Sequence, residues 1–385
     1  MKIESITLHR LRMPLVRPFE PSFGRQSVRV VLLVHVRTSQ PESEGWGECV
    51  AGEGPLYSSE YVDGCEHVIR HYLAPALLAA PRVSADLLVG LLGFVVGHRM
   101  AKAALEAAVL DAQLRASGTS FGRYLHAQST VAGLGPLAEW VDCGVSVGIS
   151  PTLDDLLDEV SGYVAAGYKR IKLKIKPGWD VLPVAAVREL LGPTGLLQVD
   201  ANTAYGLADL DHLRDLDAFD LLLIEQPFVE DDIAAHVALG AHIRTPVCLD
   251  ESLVNAAVTR DAIDRGATSI VNVKPGRVGG YLEALAIHDL CLERMLPLWC
   301  GGMLETGVGR AANVALAALP GFTLPGDTSA SDRYYTDDLV EEPFVLGSGV
   351  HAGQLRVPTG PGTGVTVRSD LVRDWALAAP IVLRP

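Results

Sequence analysis

No run of 18 apolar residues occurs in the 385-residue chain, so it offers no membrane-spanning helix. Positive charge is in deficit. The 32 Lys and Arg against 46 Asp and Glu leave a formal net charge of -14, which opposes nucleic acid and anionic membrane surfaces. Cys49, Cys65, Cys143, Cys248, Cys291 and Cys300 are scattered, with no Cys-x-x-Cys pair or finger spacing, and read as reduced, buried thiols without a structural zinc. The order His-Glu-x-x-His is missing too: His67 and His71 have the spacing, but Glu66 precedes His67, and the pair reads as a solvated helix face. No leader-like segment opens the chain, since Met1-Lys2-Ile3-Glu4 enters a strand pattern directly, and a cytoplasmic location is expected.

What the chain does have is apolar mass. Hydrophobic residues make up 49% of it, enough for a large core, and its length allows two domains. Residues 2–13, 28–38 and 44–49 alternate as strands of a meander, and helical periods follow at about 58–79, 84–95 and 99–117. Strands and helices in separate blocks indicate an α+β domain over 1–130. Pro/Gly-broken stretches make loops near 18–25 and 50–57, read either as lids over a neighbouring site or as ordinary hairpin connections. The segment 118–141 is glycine-bearing and joins the domains. Residues 131–325 carry a repeating pattern, and from 326 to 385 the chain turns irregular and is expected to return to the first domain. Gly307-Val308-Gly309-Arg310-Ala311-Ala312 fits a dinucleotide fingerprint, but it follows no strand, so no such cofactor is expected.

The pattern is set between 168 and 280. There Lys172-Leu173-Lys174, Val199-Asp200-Ala201-Asn202, Ile224-Glu225-Gln226-Pro227, Leu249-Asp250-Glu251-Ser252 and Asn272-Val273-Lys274-Pro275-Gly276 each end an apolar run. The steps from Lys174 to Asp200, Glu225, Asp250 and Lys274 are 26, 25, 25 and 24 residues by subtraction. Each step suits one strand, one helix and two loops, the unit of a parallel sheet. Closed into a barrel, such units put every strand end on one face, where these barrels keep their sites. Strand one is expected at 141–149, strand seven at 297–300, a helix at 304–319 and strand eight at 322–324. With no final helix, the fold class is α/β: a modified TIM barrel of the (β/α)7β type, capped by the α+β domain and completed by the C-terminal segment. Cys300-Gly301-Gly302-Met303 closes strand seven, either as a tight turn or as backbone amides facing a substrate anion.

If Asp200, Glu225 and Asp250 meet at the mouth, each pair repels by roughly 4 kcal/mol at about 4 Å and an effective dielectric near 20. A bound cation or extensive protonation is then expected to hold them. All-oxygen ligands favour Mg2+ or Mn2+ over zinc. Lys174 and Lys274 come from strands on opposite sides of such a metal. A neighbouring cation disfavours the ammonium form, so the lysine pKa is expected to fall and the lysine to act as a base. The metal polarises a substrate carboxylate and stabilises the enediolate left by α-proton removal. Two lysines on opposite faces permit racemisation, and one lysine in both roles permits a syn elimination of water. A strand-end Lys274 paired with Glu251 is the structural alternative.

These motifs, with Asn272-Val273-Lys274-Pro275-Gly276-Arg277-Val278-Gly279-Gly280, resemble the enolase superfamily, in its muconate-lactonizing subgroup. Trp299 to Gly307, Pro325 to Tyr334 and Gly360 to Val365 are similar to N-acylamino acid (N-succinylamino acid) racemases, many of which also show o-succinylbenzoate synthase activity. The resemblance implies Lys174 and Lys274 as acid/base pair. It implies Asp200, Glu225 and Asp250 as ligands of a divalent metal, Mg2+ first, with Mn2+ or Co2+ as substitutes. Lys172 and Asn202 would support the substrate carboxylate, Ser146, Gly302, Met303 and Tyr334 would line the pocket with Phe19 and Phe23 from a lid loop, and Glu251 and Arg277 would stand behind. The expected partner is a small N-acylated amino acid, and the expected assembly a homo-oligomer. Dipeptide epimerases carry an Asp-x-Asp that Asp327-Thr328-Ser329 lacks, and mandelate-racemase-like members use a histidine as second base. Muconate cycloisomerases share both lysines and stay open, as do a mainly o-succinylbenzoate synthase role and a non-catalytic metal-binding barrel.

Overall fold

The computed structural model describes residues 1–385 apart from Phe23, Pro41 and Glu42. Alternating apolar residues build the expected antiparallel meander from β1 (Ile3–Phe19), β2 (Gln26–Thr38) and β3 (Glu44–Cys49). In β2, Val30, Leu32, Val34 and Val36 pack toward helices of the N-terminal unit, while Val31 and Leu33 pack toward Val308 and Tyr334 on the other side. A strand covered on both faces reads as a continuous apolar run. β1 is longer than expected. Its pairing with β2 breaks after Pro14 and resumes at Phe19 opposite Gln26, so the loop predicted from residue 18 begins only after Phe19.

The helix expected at 58–79 is three joined pieces, Val62–Val68, a π-helical Ile69–Leu73 and Ala74–Ala79. Pro75, in the first turn of the last piece, lacks the N–H that would continue the α-helical ladder. Arg99–Ser117 is helical as predicted, and its alanines let β3 approach closely: a Cβ on Gly47 would fall 2.1 Å from the Ala104 carbonyl oxygen. The supposed joining segment holds a further helix, Phe121–Gln128, whose first turn is capped by Ser120 Oγ accepting from the Arg123 amide at 3.4 Å. His67 and His71 are exposed, as a solvated helix face requires.

After β4 (Trp140–Asp142) come β5 (Gly144–Val147), β6 (Arg170–Lys174), β7 (Leu196–Asp200), β8 (Ile224–Glu225), β9 (Val247–Leu249), β10 (Ile270–Val273) and β11 (Leu298–Cys300). β5 to β11 pair in parallel in sequence order, a curled seven-stranded sheet. The eighth strand expected at 322–324 shrinks to isolated bridges. Phe322 bridges Leu298 of β11 and Gly326 bridges Cys143 beside β5, with the Gly144 amide donating to the Gly326 carbonyl at 2.7 Å. An irregular segment thus links the two edges of the sheet. β12 (Gln354–Arg356) pairs with β4, and β13 (Ile381–Leu383) adds an antiparallel edge to β1, so the C-terminal segment does return to the first sheet. All six cysteines are buried and unpaired. Among the described residues no helix is long and apolar enough to cross a membrane.

Two buried glutamates tie the N-terminal unit to barrel helices. Glu48 accepts from the Thr306 and Gly309 amides and the Thr306 hydroxyl, at the start of helix Gly307–Ala317. Glu106 accepts from the Tyr281 and Leu282 amides at 2.5 and 2.9 Å, at the start of Tyr281–Glu293. Helix N-termini present unpaired amides and a positive dipole end, which is what a carboxylate needs when buried.

Candidate active site

Register brings the charged strand ends to one face. Lys174 is opposite Asp200, Asp200 opposite Glu225, and Glu225 opposite Cys248, two residues before Asp250. Because side chains alternate along a strand, all four project the same way. Asp200, Glu225 and Asp250 are 0% exposed, and Lys172, Lys174 and Lys274 are 1%, 7% and 4% exposed. Asn202 and Gln226, just past β7 and β8, hold left-handed backbone at φ 40° and 37°. Such conformations in residues other than glycine collect at functional sites.

Each acid has a cation beside it. Lys174 Nζ donates to Asp200 Oδ2 at 2.6 Å and to Asn202 Oδ1 at 2.7 Å. Lys172 Nζ lies 3.3 Å from Asp200, 3.1 Å from Glu225 and 2.6 Å from Asp327. Lys274 Nζ donates to Asp250 Oδ2 at 2.6 Å and to Tyr57 Oη at 3.0 Å, and that hydroxyl donates to the same Asp250 oxygen at 3.0 Å. Arg277 Nε lies 3.0 Å from Asp250 Oδ1. Asn272 Nδ2 donates to Glu225 Oε1 at 2.7 Å, and Gln226 Oε1 accepts from the Asp250 amide at 3.0 Å, locking neighbouring strand ends together.

Ammonium groups lie beside all three carboxylates and offset part of their mutual repulsion. The acids in turn favour the charged form of two of the lysines. Burial pulls Lys274 down, but Asp250, Tyr57 and the nearby glutamates outweigh it and hold its pKa well above the ordinary lysine range. Burial likewise disfavours the charged form of Lys172, and Asp327, Glu225 and Asp200 reverse the effect. Among the acids, burial pushes Asp200 up, yet Lys174 and Lys172 bring it down to about 2. Burial and then Asp200 raise Glu225 to about 7. Lys274 pairs with Asp250 rather than Glu251, which instead accepts from Asn202 Nδ2 at 3.1 Å and is raised by burial and by Asp250 to about 8.

The donor set suits a hard divalent ion: three wholly buried carboxylates on adjacent strand ends. Among the described residues no three acidic side chains gather around one point. The oxygens a metal would need are those now facing Lys172, Lys174 and Lys274.

Of the residues expected in the pocket, Phe19, Ser146, Lys172, Lys174, Asn202, Lys274, Gly302, Met303 and Tyr334 line one cavity. Ser146 is opposite Lys172 in register, and its Oγ is buried without a partner. Phe19 meets Tyr334 edge to face at 6.4 Å. Both predicted loops border the cavity, through Pro21 and through Gly52 and Tyr57. Phe23 lies outside the described residues. Glu251 and Arg277 do not line it. Sequence reasoning missed Arg29, Tyr57 and Asp327, which do. Asp327 is the acid of the Pro-Gly-Asp-Thr-Ser run after β11, and its Oδ1 takes Arg170 Nη2 at 2.9 Å while Oδ2 takes Lys172. A lone acid past the last strand was the available signal.

Residues 2–125 match the mandelate racemase / muconate lactonizing enzyme N-terminal domain, and residues 155–371 match the enolase C-terminal domain-like family. The chain is 59% identical over 378 residues to N-succinylamino acid racemase of Amycolatopsis sp, covering 98% of each chain. It is 44% identical to o-succinylbenzoate synthase of Geobacillus stearothermophilus over 384 residues, 100% of this chain and 98% of the relative. A solved enolase-superfamily structure from Listeria innocua superposes with a TM-score of 0.91 at 34% identity, covering 100% of this chain and 99% of that one. Charged strand ends on a parallel barrel, a capping sheet over their mouth and relatives matched from end to end agree: the chain belongs to the enolase superfamily.

Proposed function

We propose that this enzyme racemises N-acylated amino acids, with Lys174 and Lys274 exchanging the α-proton from opposite sides of the substrate. The observation that carries this reading is the placement of the two amines. Both are buried, both border one cavity, and they arrive from β6 and from the end of β10, four strands apart in the sheet, each anchored to a different aspartate. A single positioned base serves one face of a carbon, whereas two serve both and allow either enantiomer to enter and leave. The 59% identical relative is an N-succinylamino acid racemase, which favours N-succinyl substrates.

The superfamily is one of divalent-metal-dependent enzymes. We assign Mg2+ to Asp200, Glu225 and Asp250, where it would supply positive charge to the substrate carboxylate as the α-proton leaves. Lys172 and Asn202 orient that carboxylate, and Phe19, Met303 and Tyr334 keep water from the reacting carbon. The unpaired buried thiols fit a reducing, cytoplasmic setting. The identity to o-succinylbenzoate synthases favours a second activity, dehydration of the o-succinylbenzoate precursor at the same site.

The test is incubation of the Mg2+-loaded protein with N-succinyl and N-acetyl L- and D-amino acids, followed by polarimetry, and separately with the o-succinylbenzoate precursor, followed by ultraviolet absorbance. Optical rotation decaying to zero from either enantiomer supports the racemase. Dehydration without any racemisation would leave only the synthase activity.

A further inference from the structure

Arg29 is a buried cation with unmet donors on the rim of the cavity. It sits on β2 opposite Met13, in phase with Val31 and Leu33 on the face turned toward the barrel, and is 3% exposed. Nη1 donates to the Val30 and Ala51 carbonyls at 2.9 and 2.6 Å. Nε and Nη2 are buried and have no hydrogen-bond partner. Those two nitrogens form one edge of the guanidinium, the edge that receives a carboxylate through two parallel bonds.

A buried guanidinium with two idle donors is costly unless something arrives to meet them. Glu48 is near enough for Arg29 to favour its charged form, but its oxygens are engaged by Thr306 and Gly309. Arg29 shares the cavity with Lys172, Lys174 and Lys274 but belongs to the capping sheet rather than to the barrel mouth. Lys172 serves the reacting carboxylate and Lys174 and Lys274 the α-proton, which leaves Arg29 as a separate station for a second negative group.

We infer that Arg29 binds the terminal carboxylate of a dicarboxylic N-acyl chain such as succinyl, and so sets the preference among acyl groups. This rests on the racemase reading given above. An acidic amino-acid side chain under a neutral acyl group carries the same chemistry, and the experiment separates the two sources.

Wild-type enzyme is assayed on N-succinyl-valine, on the same compound with its terminal acid converted to the amide, on N-acetyl-valine and on N-acetyl-glutamate. Failure of all four to racemise removes the racemase reading itself. If racemisation occurs, kcat/KM is expected to be about 10- to 100-fold higher for the terminal acid than for its amide, carried mainly by KM. In Arg29→Met that ratio collapses toward one, and Arg29→Lys restores part of it. Equal turnover of acid and amide by the wild type overturns the inference, and needs no variant to fold. So does an unchanged ratio in Arg29→Met, or an Arg29→Met loss confined to N-acetyl-glutamate.

Discussion

Asp327 Oδ2 lies 2.6 Å from Lys172 Nζ, which joins the segment closing the barrel to its second strand across the floor of the cavity. Both side chains are buried, and Arg170 adds a second cation to the same carboxylate. Asp327→Asn leaves two buried cations short of one counter-charge. Removing one partner of a buried ion pair costs about 3–5 kcal/mol, although Asp200 and Glu225 remain beside Lys172. A drop of that order in unfolding free energy by urea titration, with a raised KM, is expected. An unchanged midpoint would show that the pair contributes nothing.

Stability should depend on pH through Glu106. Burial raises its pKa to about 7, against the two amides that favour the charged form. An acid with a raised folded-state pKa holds its proton in the folded chain after the unfolded chain has lost it. Its contribution is therefore fully present below about 4.5 and lost as pH climbs through about 7. The stability of wild type relative to Glu106→Gln is expected to fall by roughly 3 kcal/mol across that window. A flat difference in urea midpoints across it would contradict the assignment. The same contact explains Gly280, where φ is 148° and a Cβ would fall 2.1 Å from Glu106 Oε2.

Metal removal gives a third prediction. Chelation is expected to abolish turnover, and Mg2+ to restore it. Mg2+ at about 100 times its Kd should also raise the unfolding free energy by about 2.7 kcal/mol. Asp250→Asn should lose that increment. A wild-type thermal midpoint indifferent to Mg2+ would argue against binding at these carboxylates.

Much of this site was legible in the sequence because it lies at strand ends. The 25-residue period and the two-residue alternation suffice to bring Lys174, Asp200 and Glu225 to one face, as the register shows. Arg29, Tyr57 and Asp327 come from the capping sheet, its loop and an irregular closing segment, and their approach depends on how those parts dock. No local period encodes that. The partner of Lys274 was hidden for a related reason: spacing put Lys274 near other cations and near Glu251, whereas its amine meets Asp250 at 2.6 Å. Phe322, Thr323 and Leu324 are β-prone and suggest an eighth strand, whereas the gap is bridged only by scattered backbone contacts of Phe322, Gly326 and Asp327.

The two-lysine account is tested most directly by α-proton exchange in D2O with Lys174→Ala and Lys274→Ala. Each variant is expected to lose racemisation by at least about 100-fold, with one of them still exchanging deuterium into a single enantiomer of an N-succinylamino acid, as read by NMR. Racemisation retained in either variant would contradict two bases working from opposite faces.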